Sequence, residues 1–352
     1  MSAASADVSD APDLTRSRRI VLAHGGGGQL TDDLLEASVM PRLGNDVLND
    51  LLDAAILPSV EGHRLAMSID GYVVQPWRFP GGDIGQLAVS GTVNDLSVSG
   101  AVPAGLALGL ILSEGLATSD LEAIMDSIAQ TARHAGIHVV TGDTKVVGRG
   151  QADGIYITTA GVGHVPPGRA LGPDQVRPDD VLVVSGPIGE HGLAVMLARE
   201  MPEVQSVVRS DVAPLNGLIE RMLETTGDAL AFMRDPTRSG LAGVAADLAR
   251  QSGFHVTLDE TAIPVRPEAR HAADMLGLDP LEVANEGKVV AVARPEAAQD
   301  LVDAMRSHPD GSGAVVIGRV EPERDGICEL HTTIGGRRVL QKPYGEQLPR
   351  IC

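Results

Sequence analysis

The sequence ends on a cysteine, Cys352, in the stretch Leu348-Pro349-Arg350-Ile351-Cys352. A thiol carried on a chain end can act as a nucleophile where a packed side chain cannot reach. The 16 residues from the Gly335-Gly336 pair to Cys352, the cysteine included, span roughly 50 Å when fully extended. That reach is enough to leave one site and enter another. The plainer alternative is a frayed end with an incidental thiol.

A second set of candidates is acidic. Asp70 follows Ala66-Met67-Ser68-Ile69, Asp95 closes Gly91-Thr92-Val93-Asn94-Asp95, Asp143 lies in Thr141-Gly142-Asp143-Thr144-Lys145, and Asp235 lies in Arg234-Asp235-Pro236-Thr237. Any one of them reads equally as a turn or capping residue. Together, at strand ends or inside a small-residue helix, they can converge. Magnesium prefers hard oxygen ligands and binds through a few carboxylates plus phosphate oxygens, so a convergent set would let an acidic protein hold a triphosphate. The run His24-Gly25-Gly26-Gly27-Gly28 offers bare backbone amides for phosphates, or else a flexible linker. Lys145 can neutralise phosphate charge or move a proton; a solvated lysine is the alternative. Glu286, in Asn285-Glu286-Gly287-Lys288, becomes a general base if burial raises its pKa, and is otherwise part of a surface turn. His191 reads as a helix-start residue or a phosphate contact.

Both common nucleotide loops, Gly-x4-Gly-Lys-Ser/Thr and Gly-x-Gly-x-x-Gly, are missing. Nucleotide binding has to be built another way. The chain of 352 residues is 43% hydrophobic and 21% charged, and it has no apolar run near the length of a membrane span. These figures describe a soluble chain of about two domains. Residues 1–19 are rich in Ala, Ser and Asp without an apolar run, which predicts disorder rather than a signal peptide, and the cytoplasm as location. A net charge of -19 repels nucleic acid and anionic membrane. With two cysteines, Cys328 and Cys352, a disulfide framework is excluded, and the absence of Cys-x-x-Cys excludes a common structural zinc site.

These residues need strands and helices to position them. The sequence predicts a buried strand over 65–69, a small-residue helix over 87–102 and a strand over 137–140. Ser119-Asp120-Leu121-Glu122 reads as a capping box, followed by an apolar stripe of Leu121, Ile124, Met125, Ile128 and Ala132 and closed by Gly136. A proline-rich stretch from Val165 places a domain boundary. Beyond it the alternation resumes, with strands over 181–184, 289–293 and 314–317 and helices over 191–200, 240–250 and 295–307. A closing hairpin of 327–333 and 337–341 turns at Gly335-Gly336. Cys328 is expected on a strand, facing the core.

The strings His24 to Gly28, Asp70-Gly71-Tyr72-Val73-Val74, Phe79-Pro80-Gly81-Gly82, Gly91-Thr92-x-Asn94-Asp95, Thr141 to Val147, Arg234-Asp235-x-Thr237-Arg238, Ala284 to Lys288 and the terminal Pro349-Arg350-Ile351-Cys352 resemble, in the same order, the HypE family of hydrogenase maturation proteins, the carbamoyl dehydratases. Gly26 stands where many relatives have Ser, Glu190 where they often have Asp, and Ser239 where they often have Gly. The resemblance implies an α+β fold with an α/β-type second domain, similar to aminoimidazole ribonucleotide synthetase and selenophosphate synthetase. It implies an ATP-binding domain over 20–165, a second domain over 170–334, a mobile tail over 335–352, and a homodimer formed through the first domain's sheets. It further implies ATP and Mg2+, a carbamoyl group placed on Cys352 by the partner HypF, dehydration of that thiocarboxamide to a thiocyanate, and delivery of cyanide to a HypC-HypD complex. Cys352, Lys145 and Glu286 are then the catalytic residues. Asp70, Asp95, Asp143 and Asp235 hold metal, and His24 to Gly28, Asn94, Thr144, His191 and Thr237 meet the nucleotide. Two rivals stay open: a selenophosphate synthetase-like phosphotransferase, which usually carries a cysteine or selenocysteine near its glycine-rich start, and a nucleotide-regulated scaffold without catalysis.

Overall fold

A computed structural model describes residues 19–21, 33–45, 48–50, 60–204, 206–342, 348 and 350–352. The glycine run and nearly all of residues 1–19 therefore lie outside the described residues. The first half is built on a four-stranded sheet of β1 (Arg64–Tyr72), β4 (Val102–Ser113), β5 (Val139–Val147) and β6 (Ile155–Val165), in the order β1-β6-β4-β5. A two-residue ribbon, β2 (Arg78–Phe79) with β3 (Gly82–Asp83), leads into helix α1 (Ile84–Val98). A second helix, α2 (Thr118–Ala135), packs on α1.

The second half holds a seven-stranded sheet. Its strands are β7 (Val181–Val184), β8 (Leu230–Arg234), β9 (His255–Asp259), β10 (Val290–Ala293), β11 (Val315–Glu321), β12 (Cys328–His331) and β13 (Arg337–Leu340), in the order β13-β12-β9-β11-β7-β10-β8. Only β12 and β9 pair in parallel. Helices α3 (Glu190–Glu200), α4 (Asn216–Thr226), α5 (Gly240–Ser252), α6 (Pro267–Leu276) and α7 (Ala298–Arg306) complete it. Among the described residues no helix is long and apolar enough to cross a membrane.

Helix α1 joins the two halves. Asp83 caps it by accepting from the Gly85 and Gln86 amides, which replaces two of the hydrogen bonds a helix start lacks. Its small residues, Ala88, Ser90, Gly91 and Thr92 among them, are buried because β1 and β6 press on one side while α4 and β8 approach from the other. In α2 the stripe of Leu121, Ile124, Met125 and Ile128 has no solvent exposure, and each such side chain contributes roughly 1.5–3 kcal/mol by burial. Gly136 closes that helix at φ 67°, a left-handed conformation that glycine adopts without a Cβ penalty.

Three expectations need correction. The helix predicted over 87–102 starts earlier, at the Asp83 cap, and ends at Val98, so Val102 opens β4 instead. The capping box does not form: the helix begins at Thr118 and its preceding residue, Ala117, makes no side-chain cap. The strand over 65–69 exists but is not buried. Leu65, Met67 and Ile69 are 70%, 69% and 66% exposed, because strand alternation turns Ser68, Asp70 and Tyr72 to the α1 side and these three to the other. The closing hairpin pairs Cys328 with Leu340 through His331 with Arg337, and Cys328 is buried as expected.

Candidate active site

The α1-facing residues of β1 begin the site. Ser68 Oγ donates to Asp95 Oδ2 at 2.6 Å, and the Tyr72 hydroxyl donates to Asp70 Oδ2 at 3.5 Å. Burial, and then the charge of Asp95 and a hydrogen bond between the two carboxyl groups, push Asp70 up to about 6. Asp235 stands immediately after β8 in the second half and faces the same place. Burial and then the charge of Asp95, with a smaller contribution from Asp70, push it up to about 7. Glu286, 3% exposed on the run into β10, lies well above the usual carboxylate range through burial first and then the charges of Asp235, Asp211, Asp70 and Asp95. Carboxyl groups raised by one another share one small volume.

Asp70, Asp95 and Asp235, three of the four predicted metal ligands, thus lie within range of each other's charge and of Glu286. Among the described residues no group of three or more His, Cys, Asp and Glu is gathered closely enough to hold a metal ion. The donor set nevertheless fits a hard cation, since its oxygens repel each other and a divalent ion relieves that repulsion. Asp143 and Lys145 are elsewhere. The strand expected to stop at Val140 runs on to Val147, which sets both residues in mid-strand on the face of β5 aligned with Gly109 and Ile111. There they pair with each other at 2.9 Å, both largely exposed. Thr144 points to the opposite face of that strand.

Asn94 is spent on the backbone. Its Nδ2 donates to the carbonyls of Ala213 at 3.1 Å and Glu286 at 3.3 Å, and its Oδ1 accepts from the Leu215 amide at 2.7 Å. It clamps α1 to the second half and holds Glu286 in place. The resemblance assigned it to the nucleotide, but in this arrangement no side-chain hydrogen is left for a phosphate. Thr237 lies half-buried beside Asp235, its carbonyl accepting from the Gly240 amide at 3.1 Å.

The tail occupies the cleft. The amides of Val73 and Gln75 donate to the main-chain oxygens of Cys352 at 3.1 Å and Arg350 at 3.3 Å, in the manner of a short added strand. Arg199 Nη2 also donates to the Arg350 carbonyl, at 2.7 Å. His191 is fully buried, with its ring edge-on to Phe79 at 5.3 Å. Its Nε2 contacts the Ile351 carbonyl at 3.0 Å and its Nδ1 contacts Ser210 Oγ at 2.8 Å. A carbonyl only accepts, so Nε2 carries the proton and Nδ1 accepts from the serine hydroxyl, which in turn accepts from the Val212 amide at 3.1 Å. Burial holds this imidazole below its usual pKa, in keeping with the neutral ring. Arg350 adopts φ 53°, a conformation that costs a non-glycine residue roughly 1–2 kcal/mol. The turn sends Ile351 into the core and Cys352 toward the acids.

The thiol of Cys352 lies within electrostatic reach of Arg238, Glu286 and Asp70. Burial and then the Glu286 charge push it up to about 11, against the pull of Arg238. A docked thiol is therefore neutral and a poor nucleophile. Beneath the site, Lys288 Nζ pairs with Asp211 Oδ2 at 3.0 Å with both side chains nearly inaccessible. Burial alone would raise Asp211, but Lys288 and then the Glu286 amide hold the carboxyl below its ordinary value. A Cβ on Gly287 would collide with the Asp211 carbonyl, so glycine lets Glu286 and Asp211 approach.

Reading the sequence missed Asp211, Arg199 and Ser210 as site residues, and passed over Arg238, Tyr72 and Lys288 although they stand in the quoted strings. For the latter three the signal was proximity to a candidate acid. Asp211 and Ser210 lie in a loop that local pattern does not distinguish.

Residues 52–165 match the family described as AIR synthase related protein, N-terminal domain, and residues 177–331 match its C-terminal domain. The chain belongs to the AIR synthase related family. It is 46% identical over 334 residues to the carbamoyl dehydratase HypE of Rhizobium leguminosarum bv. viciae, covering 95% of each chain. A crystal structure of the hydrogenase maturation protein HypE in complex with ATP aligns at TM-score 0.89 and 41% identity, over 94% of this chain and 99% of that one. A HypE-HypF complex aligns at TM-score 0.76 and 38% identity, over 90% and 100%. Within the family the chain belongs with the HypE carbamoyl dehydratases, enzymes of hydrogenase maturation.

Proposed function

We propose that this enzyme uses ATP to dehydrate a carbamoyl group carried on its own Cys352, forming a thiocyanate that supplies the cyanide ligands of nickel-iron hydrogenase. The observation that carries the reading is the docking of the tail, Val73 and Gln75 pairing with Cys352 and Arg350 and His191 with Ile351, which brings the thiol within reach of the charges of Arg238, Glu286 and Asp70. The solved HypE complexes with ATP and with HypF support the nucleotide and the carbamoyl donor. A HypC-HypD complex as cyanide acceptor and a cytoplasmic setting belong to the same reading.

The need for ATP is chemical. The carbamoyl oxygen is a very poor leaving group. Once it takes the γ-phosphoryl group and ADP departs, the C–O bond breaks with loss of phosphate, and the nitrogen gives up both protons to leave S–C≡N. Asp70, Asp95 and Asp235 would hold magnesium, which when bound neutralises charge on the phosphoryl group in transfer. Glu286 serves as the base in this reading. Burial, the first cause of its raised proton affinity, persists when a cation neutralises the neighbouring acids and keeps the carboxylate a stronger acceptor than a free glutamate. Arg238 orients the sulfur.

The exposed face of β1 gives Asp143 and Lys145 their place. A homodimer formed through this sheet would cover Leu65, Met67 and Ile69 and enclose Asp143 and Lys145 against the second copy, where metal binding and proton transfer become open to them. The test is Glu286→Gln. Cyanide formation by the carbamoylated protein should fall about 100- to 10,000-fold with ATP binding retained. Unchanged turnover removes Glu286 from the role.

A further inference from the structure

Each of the last three residues has a main-chain oxygen that meets a donor rooted in the folded body: Gln75 and Arg199 for Arg350, His191 for Ile351, and Val73 for Cys352. The side chains are read separately. Arg350 Nη1 donates to Asp153 at 2.6 Å while its Nε donates to the Val73 carbonyl at 3.0 Å. Its guanidinium also lies 5.8 Å from the Tyr156 ring centroid. Ile351 is 4% exposed and joins the buried cluster of Val195, Val212 and Ala284. Leu348 packs at Gly192, against the N-terminal turn of α3. A tether that only brought a thiol close would need none of this. Backbone pairing supplies affinity and alternate side-chain pockets supply selectivity, which is how an extended peptide is recognised.

We propose that the cleft is a sequence-reading peptide groove whose ligand, Arg-Ile-Cys, is separable from the chain, so that the enzyme processes an S-carbamoyl peptide of this sequence supplied in trans, a second copy's end included. The proposal rests on the dehydratase reading and defines its substrate as a peptide rather than as a covalent appendage. Arg199, His191 and Asp153 are positioning residues: they hold the backbone and the arginine while Glu286 and Arg238 face the sulfur. Selectivity then comes from the residues before the cysteine. No bond changes other than those of the dehydration itself, with ATP again the acceptor of the oxygen.

The experiment uses the full-length chain with Arg350→Ala, Ile351→Ala and Cys352→Ala, which withdraws the native ligand while keeping the fold's length; Cys352→Ala alone, with peptide competing against the resident tail, serves if the triple variant unfolds. Fluorescein-labelled Leu-Pro-Arg-Ile-Cys is titrated by anisotropy, and its S-carbamoyl form is assayed with ATP for phosphate release. The expected result is saturable binding and turnover. Arg199→Ala should raise KM for the peptide about tenfold, the scale of one charge-assisted hydrogen bond, with kcat at saturation retained and Arg199→Lys partly restoring KM. Asp153→Ala should weaken the Arg peptide but leave a peptide with Ala at that position unaffected. Turnover of the carbamoylated wild-type chain, with no peptide binding at millimolar concentration to either variant, overturns the groove and leaves the dehydratase reading standing. Peptide binding with no turnover of either the peptide or the carbamoylated wild-type chain overturns the reading and leaves the groove.

Discussion

Strand β1 carries two kinds of surface on alternate residues. Ser68, Asp70 and Tyr72 face α1 and join the acids of the second half, whereas Leu65, Met67 and Ile69 face outward and are largely exposed. The same outer face bears Asp143 and Lys145, which pair with each other. The inner face gathers acids from both halves of one chain. The outer face is apolar surface beside charged residues, an arrangement that suits association. A single strand thus separates an acidic inner face from an apolar outer one.

The sharpest test of the inner face lies beneath it. Lys288→Ala leaves Asp211 as an uncompensated buried charge and should destabilise the fold by about 3–5 kcal/mol, measured by urea unfolding. Joint replacement of both partners, Lys288→Met with Asp211→Leu, should recover much of that loss. Equal losses in the single and double variants would show that the pair is not coupled.

On the outer face, Met67→Asp places a charge in the middle of the exposed apolar row. Sedimentation should show a dimer become a monomer with an unchanged circular dichroism spectrum, an effect of about 2–4 kcal/mol at a buried interface centre. A variant that sediments like the parent breaks the contrast between the faces.

A smaller effect separates the inner acids from ordinary surface carboxylates. Asp70 and Asp235 hold protons up to about 6 and about 7 in the folded chain, whereas the unfolded chain releases them near 3.8, the ordinary value of an aspartate. The native state therefore binds more protons between those limits, and this contribution to stability falls as pH rises from about 4 through about 7. Asp70→Asn should raise Tm of the ligand-free protein by about 1–2 °C at neutral pH while abolishing turnover. Magnesium should raise the parent's Tm more at about pH 8 than at about pH 6, because the ion competes with protons for these oxygens. The opposite pH trend would separate the acids from a metal role.

The smallest effect concerns Ser239, which takes φ 64° just before α5. That conformation favours glycine, which explains the resemblance's usual Gly there. Ser239→Gly should stabilise by roughly 1 kcal/mol, read from thermal unfolding, with turnover unchanged.

Much of this was legible in sequence where local pattern and burial agree. The α2 stripe and the terminal hairpin follow from side-chain periodicity and turn chemistry, and the structure returns both. Periodicity could not say which face of β1 meets the core, because apolar residues hold the outward positions. Strand β5 was read short because Gly142, Asp143, Thr144 and Lys145 form strands poorly; pairing with β4 from Leu106 to Ser113 overrides that preference. Asp235 and Glu286 announced themselves as acids beside strands. Asp211 did not, since its importance arises from Lys288 and Glu286, 77 and 75 residues away. The assignment of His191 to a phosphate was reasonable for a histidine at a helix start, but only the folded chain shows it holding the Ile351 carbonyl.

The central claim is that the molecule's own cysteine is the substrate it delivers to the acids. Intact-mass analysis of the protein incubated with HypF, carbamoyl phosphate and ATP tests it most directly. The account predicts a gain of one carbamoyl group followed by loss of one water, both absent in Cys352→Ala. A carbamoyl adduct that persists unchanged with ATP, or the same water loss in Cys352→Ala, would contradict it.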